Sequence, residues 1–84
     1  MRNHNRYTVI VIPDEEDGGF LAYVPAIPNC FTHGETREHA LAMAEDAAGA
    51  LLVSMADHGE ELPVEAPGAT VATIDVPVPA PALA

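Results

Sequence analysis

The chain has 84 residues, which is the length of a single small domain with a thin hydrophobic core. Its 13 acidic and 3 basic residues give a formal net charge of −10. This charge repels the phosphates of nucleic acids and of anionic membranes, so neither is expected as a direct partner, whereas a basic protein would be attracted. The acids could also serve only to keep a small domain in solution, and charge alone does not separate these interpretations.

The first half of the chain predicts a β-hairpin. Residues 7–12, YTVIVI, are aromatic or β-branched and stop at Pro13, which predicts a strand whose two faces are both covered. DEEDGG follows and predicts a turn, because short acidic side chains accept local backbone hydrogen bonds and glycine takes positive φ. Residues 20–24, FLAYV, predict a second strand that pairs antiparallel with the first.

A short strand and a long helix are predicted next. Pro25 and Pro28 cannot donate ladder hydrogen bonds, so the second strand should stop or bulge there, and residues 30–33, CFTH, predict a third strand. Thr36 is the expected N-cap of a helix that stops at Gly59. The apolar stripe of this helix consists of Leu41, Ala44, Ala48, Leu52 and Met55.

The C-terminal part divides into two segments. Residues 68–76, GATVATIDV, alternate in polarity and predict a last strand, whereas residues 77–84, PVPAPALA, predict an extended or disordered tail. The predicted order is β-β-β-α-β, an α+β domain over residues 1–76 in which one helix packs on a mostly antiparallel sheet.

Four consecutive acids in the predicted turn are the first candidates for chemistry. A two-metal site needs carboxylates that converge from separate elements, and a calcium loop needs alternating ligands with a distant bidentate glutamate. The run DEED satisfies neither pattern. It is interpreted as a solvated turn, with contact to a partner as the alternative.

Cys30 and His33 are the second candidates. Their C-x-x-H spacing lacks the second pair of ligands that zinc requires, and no third group is evident to orient a cysteine–histidine dyad. Cys30 is interpreted as a small buried hydrophobe. No catalytic, cofactor or metal site is predicted. The single cysteine excludes an internal disulfide, and MRNHNRY lacks the apolar segment of a signal peptide, so a cytoplasmic location is predicted.

The ordered set of motifs over residues 7–76 resembles the HicB-like antitoxin family. The motifs are an acidic turn that ends in Gly-Gly plus an aromatic residue, the segment YVPAIP, a cysteine, a Gly-x-Thr helix start, and GEELP after an Ala-rich acidic helix. The matching residues with structural roles are Gly18, Gly19, Pro25, Pro28, Cys30, Gly34 and Thr36.

The resemblance implies a partial ribonuclease H-like fold without the nuclease carboxylates, and a role in a type II toxin–antitoxin pair. It further implies a small basic HicA-like toxin that cleaves mRNA and is blocked when the antitoxin covers its active surface. The candidate contact residues are the acids Asp14, Glu15, Glu16, Asp17, Glu38, Glu45 and Asp46. A homodimer or homotetramer is expected, because a partner copy would cover apolar surface that one small chain cannot bury.

The sequence departs from the family pattern at three places. Asn29 stands where a glycine commonly precedes the cysteine, and His39 stands where an acid is common. Many members carry a C-terminal DNA-binding domain where this sequence reads PVPAPALA, so direct autorepression is not predicted. Two alternatives stay open: a homo-oligomeric structural or regulatory binding module without a toxin, and a degenerate ribonuclease H-like enzyme.

Overall fold

The computed structural model describes residues 5–80. It contains three strands, β1 (Ile10–Pro13), β2 (Phe20–Tyr23) and β3 (Phe31–Gly34), followed by one helix, α1 (Arg37–Asp57). The strands form one antiparallel sheet in the order β1-β2-β3. The α+β class is therefore confirmed, with each strand within a few residues of its predicted place.

The prediction of a last strand at residues 68–76 is wrong for this chain. Within the described residues, no strand follows the helix. A tight turn holds this segment at its start, where the amide of Ala69 donates to the carbonyl of Ala66 at 3.3 Å and Gly68 has φ 81°. Alternation of polarity is not sufficient for a strand, because a strand also needs a neighbouring backbone to pair with. Residues 1–4 of the predicted domain and residues 81–84 of the predicted tail lie outside the described range.

The register of the sheet decides which side chains face the helix. Val11 pairs with Ala22, and Ala22 pairs with Thr32. Ala22 is completely buried, and the hydroxyl of Thr32 donates to the carbonyl of Ala40 in α1 at 3.3 Å. This row therefore lies under the helix, and the alternate residues of each strand point to the other side of the sheet.

The core under the helix is built mostly from small residues. Its fully buried members are Ala22, Val24, Ile27, Cys30, Ala40 and Ala44. Only Ile27 among them is a large side chain that is buried to 2% exposure. Gly34 also lies directly against α1, because a Cβ there would lie 2.3 Å from the backbone nitrogen of Ala40. Small side chains let α1 approach the sheet closely, and they leave little apolar surface to stabilise the fold.

Local capping fixes both ends of α1. Thr36 has extended backbone, and its hydroxyl accepts a hydrogen bond from the amide of His39 at 3.0 Å, as the predicted N-cap requires. At the other end Gly59 has φ 71°, and the amide of Glu60 donates to the carbonyl of Met55 at 2.9 Å. These are the features of a Schellman motif, which explains why the helix stops at the predicted glycine. No helix of residues 5–80 has the length and apolarity needed to cross a membrane.

Candidate partner-binding site

The acidic turn between β1 and β2 is held by its own first residue. The amide of Asp14 donates to the carbonyl of Gly19 at 2.9 Å, and the amide of Gly18 donates back to the carbonyl of Asp14 at 2.9 Å. Oδ1 of Asp14 accepts hydrogen bonds from the amides of Glu16 at 3.1 Å and Asp17 at 3.2 Å. The carboxylate of Asp14 therefore organises the turn, which leaves the three acids that follow it exposed to solvent.

The turn ends in two glycines, and the second of them allows β3 to approach closely. Both have positive φ, 77° at Gly18 and 75° at Gly19. A Cβ on Gly19 would lie 2.4 Å from the carbonyl oxygen of Gly34, so that position accepts only glycine without a backbone shift. Nε2 of His33 lies 2.8 Å from the carbonyl oxygen of Gly18 and 3.6 Å from Oδ2 of Asp14. His33 thus braces the turn against β3.

The predicted contact acids separate into two surfaces. Phe20 pairs with Gly34, so the turn lies at the end of the sheet from which the chain enters α1. Glu38 is in the first turn of that helix. We call this surface the acidic end, and it consists of Asp14, Glu15, Glu16, Asp17 and Glu38. Glu45 lies seven residues further along α1, about 10 Å up the helix axis, and so belongs to a different surface.

The second surface is the outward side of α1. Glu45 and Asp46 are exposed there and border a shallow, open depression. Its other lining residues are Ala42, Gly49, Ala50 and Val53. Charged and small residues on the outward side of a helix are typical of a solvated surface, and these two acids have no further polar group beside them that would mark a ligand site.

The loop between β2 and β3 carries the other family motif. The amide of Val24 donates to the carbonyl of Cys30 at 2.9 Å, and the amide of Cys30 donates to the carbonyl of Ile27 at 3.3 Å. Pro25 and Pro28 lie on the exposed side of this loop. Asn29 has φ 63°, the left-handed conformation that glycine adopts more easily. The loop thereby turns Ile27 and Cys30 into the core.

Cys30 is a structural residue in this arrangement. Cys30 is 2% exposed, and its thiol lies 3.9 Å from the carbonyl oxygen of Ala44. Burial raises the pKa of the thiol, and a backbone hydrogen bond from Val24 offsets part of the shift. A protonated, buried thiol is a poor nucleophile and a poor metal ligand. Across residues 5–80, no three His, Cys, Asp or Glu side chains are grouped so that they could hold a metal ion.

A clasp joins the segment after α1 to the chain before β1. Oε1 of Glu65 accepts a hydrogen bond from the amide of Thr8 at 2.6 Å, and Oε2 accepts one from the hydroxyl of Thr8 at 2.7 Å. These bonds to Thr8 lower the pKa of Glu65, against a small opposing effect of desolvation. The hydroxyl of Tyr7 also donates to the carbonyl of Pro63. The clasp was not foreseen, because its partners are 57 residues apart.

The outer sheet face is the surface that the sequence did not reveal. The name is given to four exposed large apolar side chains, Ile12, Leu21, Tyr23 and Phe31, which the register places side by side away from α1. Ile10 and His33 flank them on the same side of the sheet. Phe31 is 71% exposed and Ile12 is 44% exposed. The prediction that both faces of the first strand are covered is therefore wrong for the single chain. A contiguous open patch of large apolar side chains is typical of an interaction surface.

Comparison with known proteins agrees with the motif order. The profile of the HicB_like antitoxin of bacterial toxin-antitoxin system matches residues 7–76. UPF0150 protein Ta0767 of Thermoplasma acidophilum is 43% identical over 58 residues, which is 69% of this chain and 83% of that protein. Antitoxin HicB 1 of Photorhabdus laumondii subsp. laumondii is 40% identical over 62 residues, which is 74% of this chain and 39% of that protein.

The fold and these matches define the class as a small α+β protein of the antitoxin type. The chain belongs to the HicB-like antitoxin family, as the motif order predicted. It spans about two fifths of Antitoxin HicB 1, because the match covers 39% of that relative.

Proposed function

We propose that this chain binds a small basic ribonuclease toxin of the HicA-like type in the cytoplasm and neutralises it by covering the surface that engages mRNA. Membership of the antitoxin family and a net charge of −10 support this proposal. A protein that binds RNA has to present positive charge to phosphates, so an acidic antitoxin complements it electrostatically. The binding domain is proposed to be residues 1–76, with residues 77–84 as an extension.

The acidic end is the proposed site of first contact. Glu15, Glu16 and Asp17 are exposed and follow one another in a turn that hydrogen bonds hold in one conformation. A rigid group of carboxylates attracts a basic partner without a large entropic cost of ordering. Glu38 adds charge at the same end, although it lies 4.0 Å from the guanidinium of Arg37. The acids on the outward side of α1 are proposed as secondary contacts.

The deciding experiment uses the neighbouring reading frame. A short, basic protein encoded beside this gene is co-expressed and co-purified with the chain, and growth is measured with and without the chain. We expect a stable complex and rescue of growth. Absence of such a neighbour together with failure to rescue cells from a HicA-like toxin would contradict the proposal.

The contact surface is tested with two matched charge reversals. Glu15→Lys/Glu16→Lys changes the acidic end, and Glu60→Lys/Glu61→Lys makes the same change beyond the far end of α1. We expect the first variant to associate with the toxin about tenfold more slowly and with a weaker salt dependence, because steering charges act mainly on the association rate. Equal effects of the two variants would show that only net charge matters and would remove the acidic end from the interface.

A second candidate function is a homo-oligomeric binding module that has no toxin. The open apolar sheet face favours it, because that face carries no acid to attract a basic partner. Pull-downs that recover only the chain itself would support this alternative, whereas a basic protein in equal amount would exclude it.

A further inference from the structure

Residues 69–78 form a second open apolar surface, which we call the arm. In an extended chain alternate side chains point the same way, so Ile74, Val76 and Val78 form one row, and Thr73 and Asp75 belong to the other. Ile74 is 83% exposed and Val78 is 82% exposed. Pro77 and Pro79 restrict the backbone to extended conformations. The row of Ile74, Val76 and Val78 is therefore largely exposed to solvent in the single chain.

The arm leaves the body of its own chain. The radius of gyration is 16.5 Å, whereas a compact domain of this length has a value of about 12 Å. The molecule measures 60 × 28 × 24 Å, so one dimension is more than twice the others. The root of the arm lies in a cleft that Ile10, Pro25 and Val71 help to line, at the margin of the outer sheet face. From there the chain is exposed at every described position.

Charge indicates what covers the arm. Asp75 is the only charged residue between positions 66 and 80, and the outer sheet face has no charged residue among its four members. A basic toxin would gain little electrostatic energy from either surface. Two copies of a chain with net charge −10 repel each other. A contact between the uncharged row of the arm, which excludes Asp75, and the outer sheet face brings no acidic side chains together. A second copy of this chain is therefore the occupant that fits.

We propose that the chain forms a two-fold dimer in which the arm of each copy covers the outer sheet face of the other. The row of Ile74, Val76 and Val78 packs on Ile12, Leu21 and Phe31 of the facing copy. Ten extended residues reach about 33 Å, against about 13 Å for the four-residue strands, so one arm is long enough to cross the face. The exchange is reciprocal, so the arm and the outer sheet face of each copy are both covered by the other copy. This inference does not rest on the presence of a toxin.

The first test compares two substitutions on adjacent arm residues. Multi-angle light scattering over a concentration series measures the mass of the wild type, Ile74→Asp and Thr73→Asp. We expect a wild-type mass of about 17.6 kDa, twice the 8.8 kDa of one chain. Ile74→Asp should raise the dissociation constant of the dimer at least tenfold, which is about the loss expected from one buried aliphatic side chain. Thr73→Asp adds the same charge to the other row and should leave the dissociation constant unchanged. Val78→Asp repeats the test at a second position.

The second test concerns the surface that the arm covers. Phe31→Ser removes the most exposed member of the outer sheet face, and Val53→Ser is the control on the outward side of α1, where the side chain is 62% exposed. We expect Phe31→Ser to weaken the dimer and Val53→Ser to leave it intact. A wild type that stays monomeric, or a dimer that tolerates both Ile74→Asp and Val78→Asp, overturns the proposal. A monomer that Ile74→Asp destabilises would mean that the arm folds onto its own body.

Discussion

The two sides of the sheet are built in opposite ways. The side under α1 is closed by small residues such as Ala22, Ala40 and Gly34, whereas the other side displays Ile12 and Phe31 to solvent. In most small proteins the large apolar side chains are the ones that folding buries. Here the helix approaches closely over a thin core, and much of the large apolar surface is left for another molecule. The covered side therefore specifies the fold, and the open side is available for assembly.

The largest expected effect is on the close contact between β3 and α1. Gly34→Ala places a Cβ against backbone atoms of Ala40, the nearest at 2.3 Å, so the helix has to shift and the core beside it loses contact. We expect the free energy of unfolding to fall by about 3 kcal/mol, measured by urea denaturation at fixed protein concentration.

Gly49→Ala is the matched control for that substitution. Its Cβ meets no atom within 4 Å, and alanine is favoured over glycine inside a helix, so we expect a gain of about 0.5–1 kcal/mol. If both alanine variants changed stability alike, the approach of helix and sheet would not depend on Gly34.

The same isoleucine truncation on the two sides of the sheet gives the next largest effect. Ile27→Ala removes the one large side chain that is almost fully buried, and we expect a loss of about 2.5 kcal/mol. Ile12→Ala removes a side chain that is 44% exposed, so a loss of about 1 kcal/mol or less is expected in the monomer. Urea denaturation of the monomeric background Ile74→Asp separates folding from assembly. Similar losses for the two variants would mean that the outer sheet face is covered within one chain.

Local chemistry explains which parts of the fold were predictable from the sequence. The hairpin follows from a turn in which the carboxylate of Asp14 accepts hydrogen bonds from the backbone amides of nearby residues. The ends of the helix follow from Thr36 and Gly59. Each of these signals acts within a few residues. The class and family followed from the order of such signals along the chain.

The remaining features depend on contacts between distant residues. Apolarity predicted that the first strand is covered on both sides, but it could not say whether the cover comes from the same chain. Alternation at residues 68–76 predicted a strand, but no strand edge among residues 5–80 pairs with it. The candidate acids were predicted as one set, and the rise of α1 separates Glu45 from the acidic end. Which of these acids touch a partner stays a prediction.

The clasp between Glu65 and Thr8 should make the root of the arm sensitive to acid. Hydrogen bonds from Thr8 lower the pKa of Glu65 in the folded chain, so the unfolded chain binds more protons in the acidic range. The stabilisation is complete above about pH 4.3, the ordinary value for glutamate, and is lost as the pH falls through the lowered folded-state pKa. We expect Glu65→Gln to show a smaller loss of stability between neutral and acidic pH than the wild type. Glu61→Gln, at an exposed position, should follow the wild type, and an unchanged pH profile in Glu65→Gln would exclude the clasp as the cause.

The smallest expected effect concerns the loop that delivers Ile27 and Cys30 to the covered side. Asn29 has φ 63°, where a side chain costs energy that glycine avoids, although asparagine tolerates this region better than most residues. We expect Asn29→Gly to raise the free energy of unfolding by about 0.5 kcal/mol, because relief of strain slightly exceeds the added entropy of the unfolded chain. Asn29→Ala should lower it by about 1 kcal/mol at the same position. Since Asn29 is exposed, neither change alters packing, so the difference between the two variants reports backbone conformation alone. If Asn29→Ala were as stable as Asn29→Gly, the left-handed conformation would not be what turns the loop into the core.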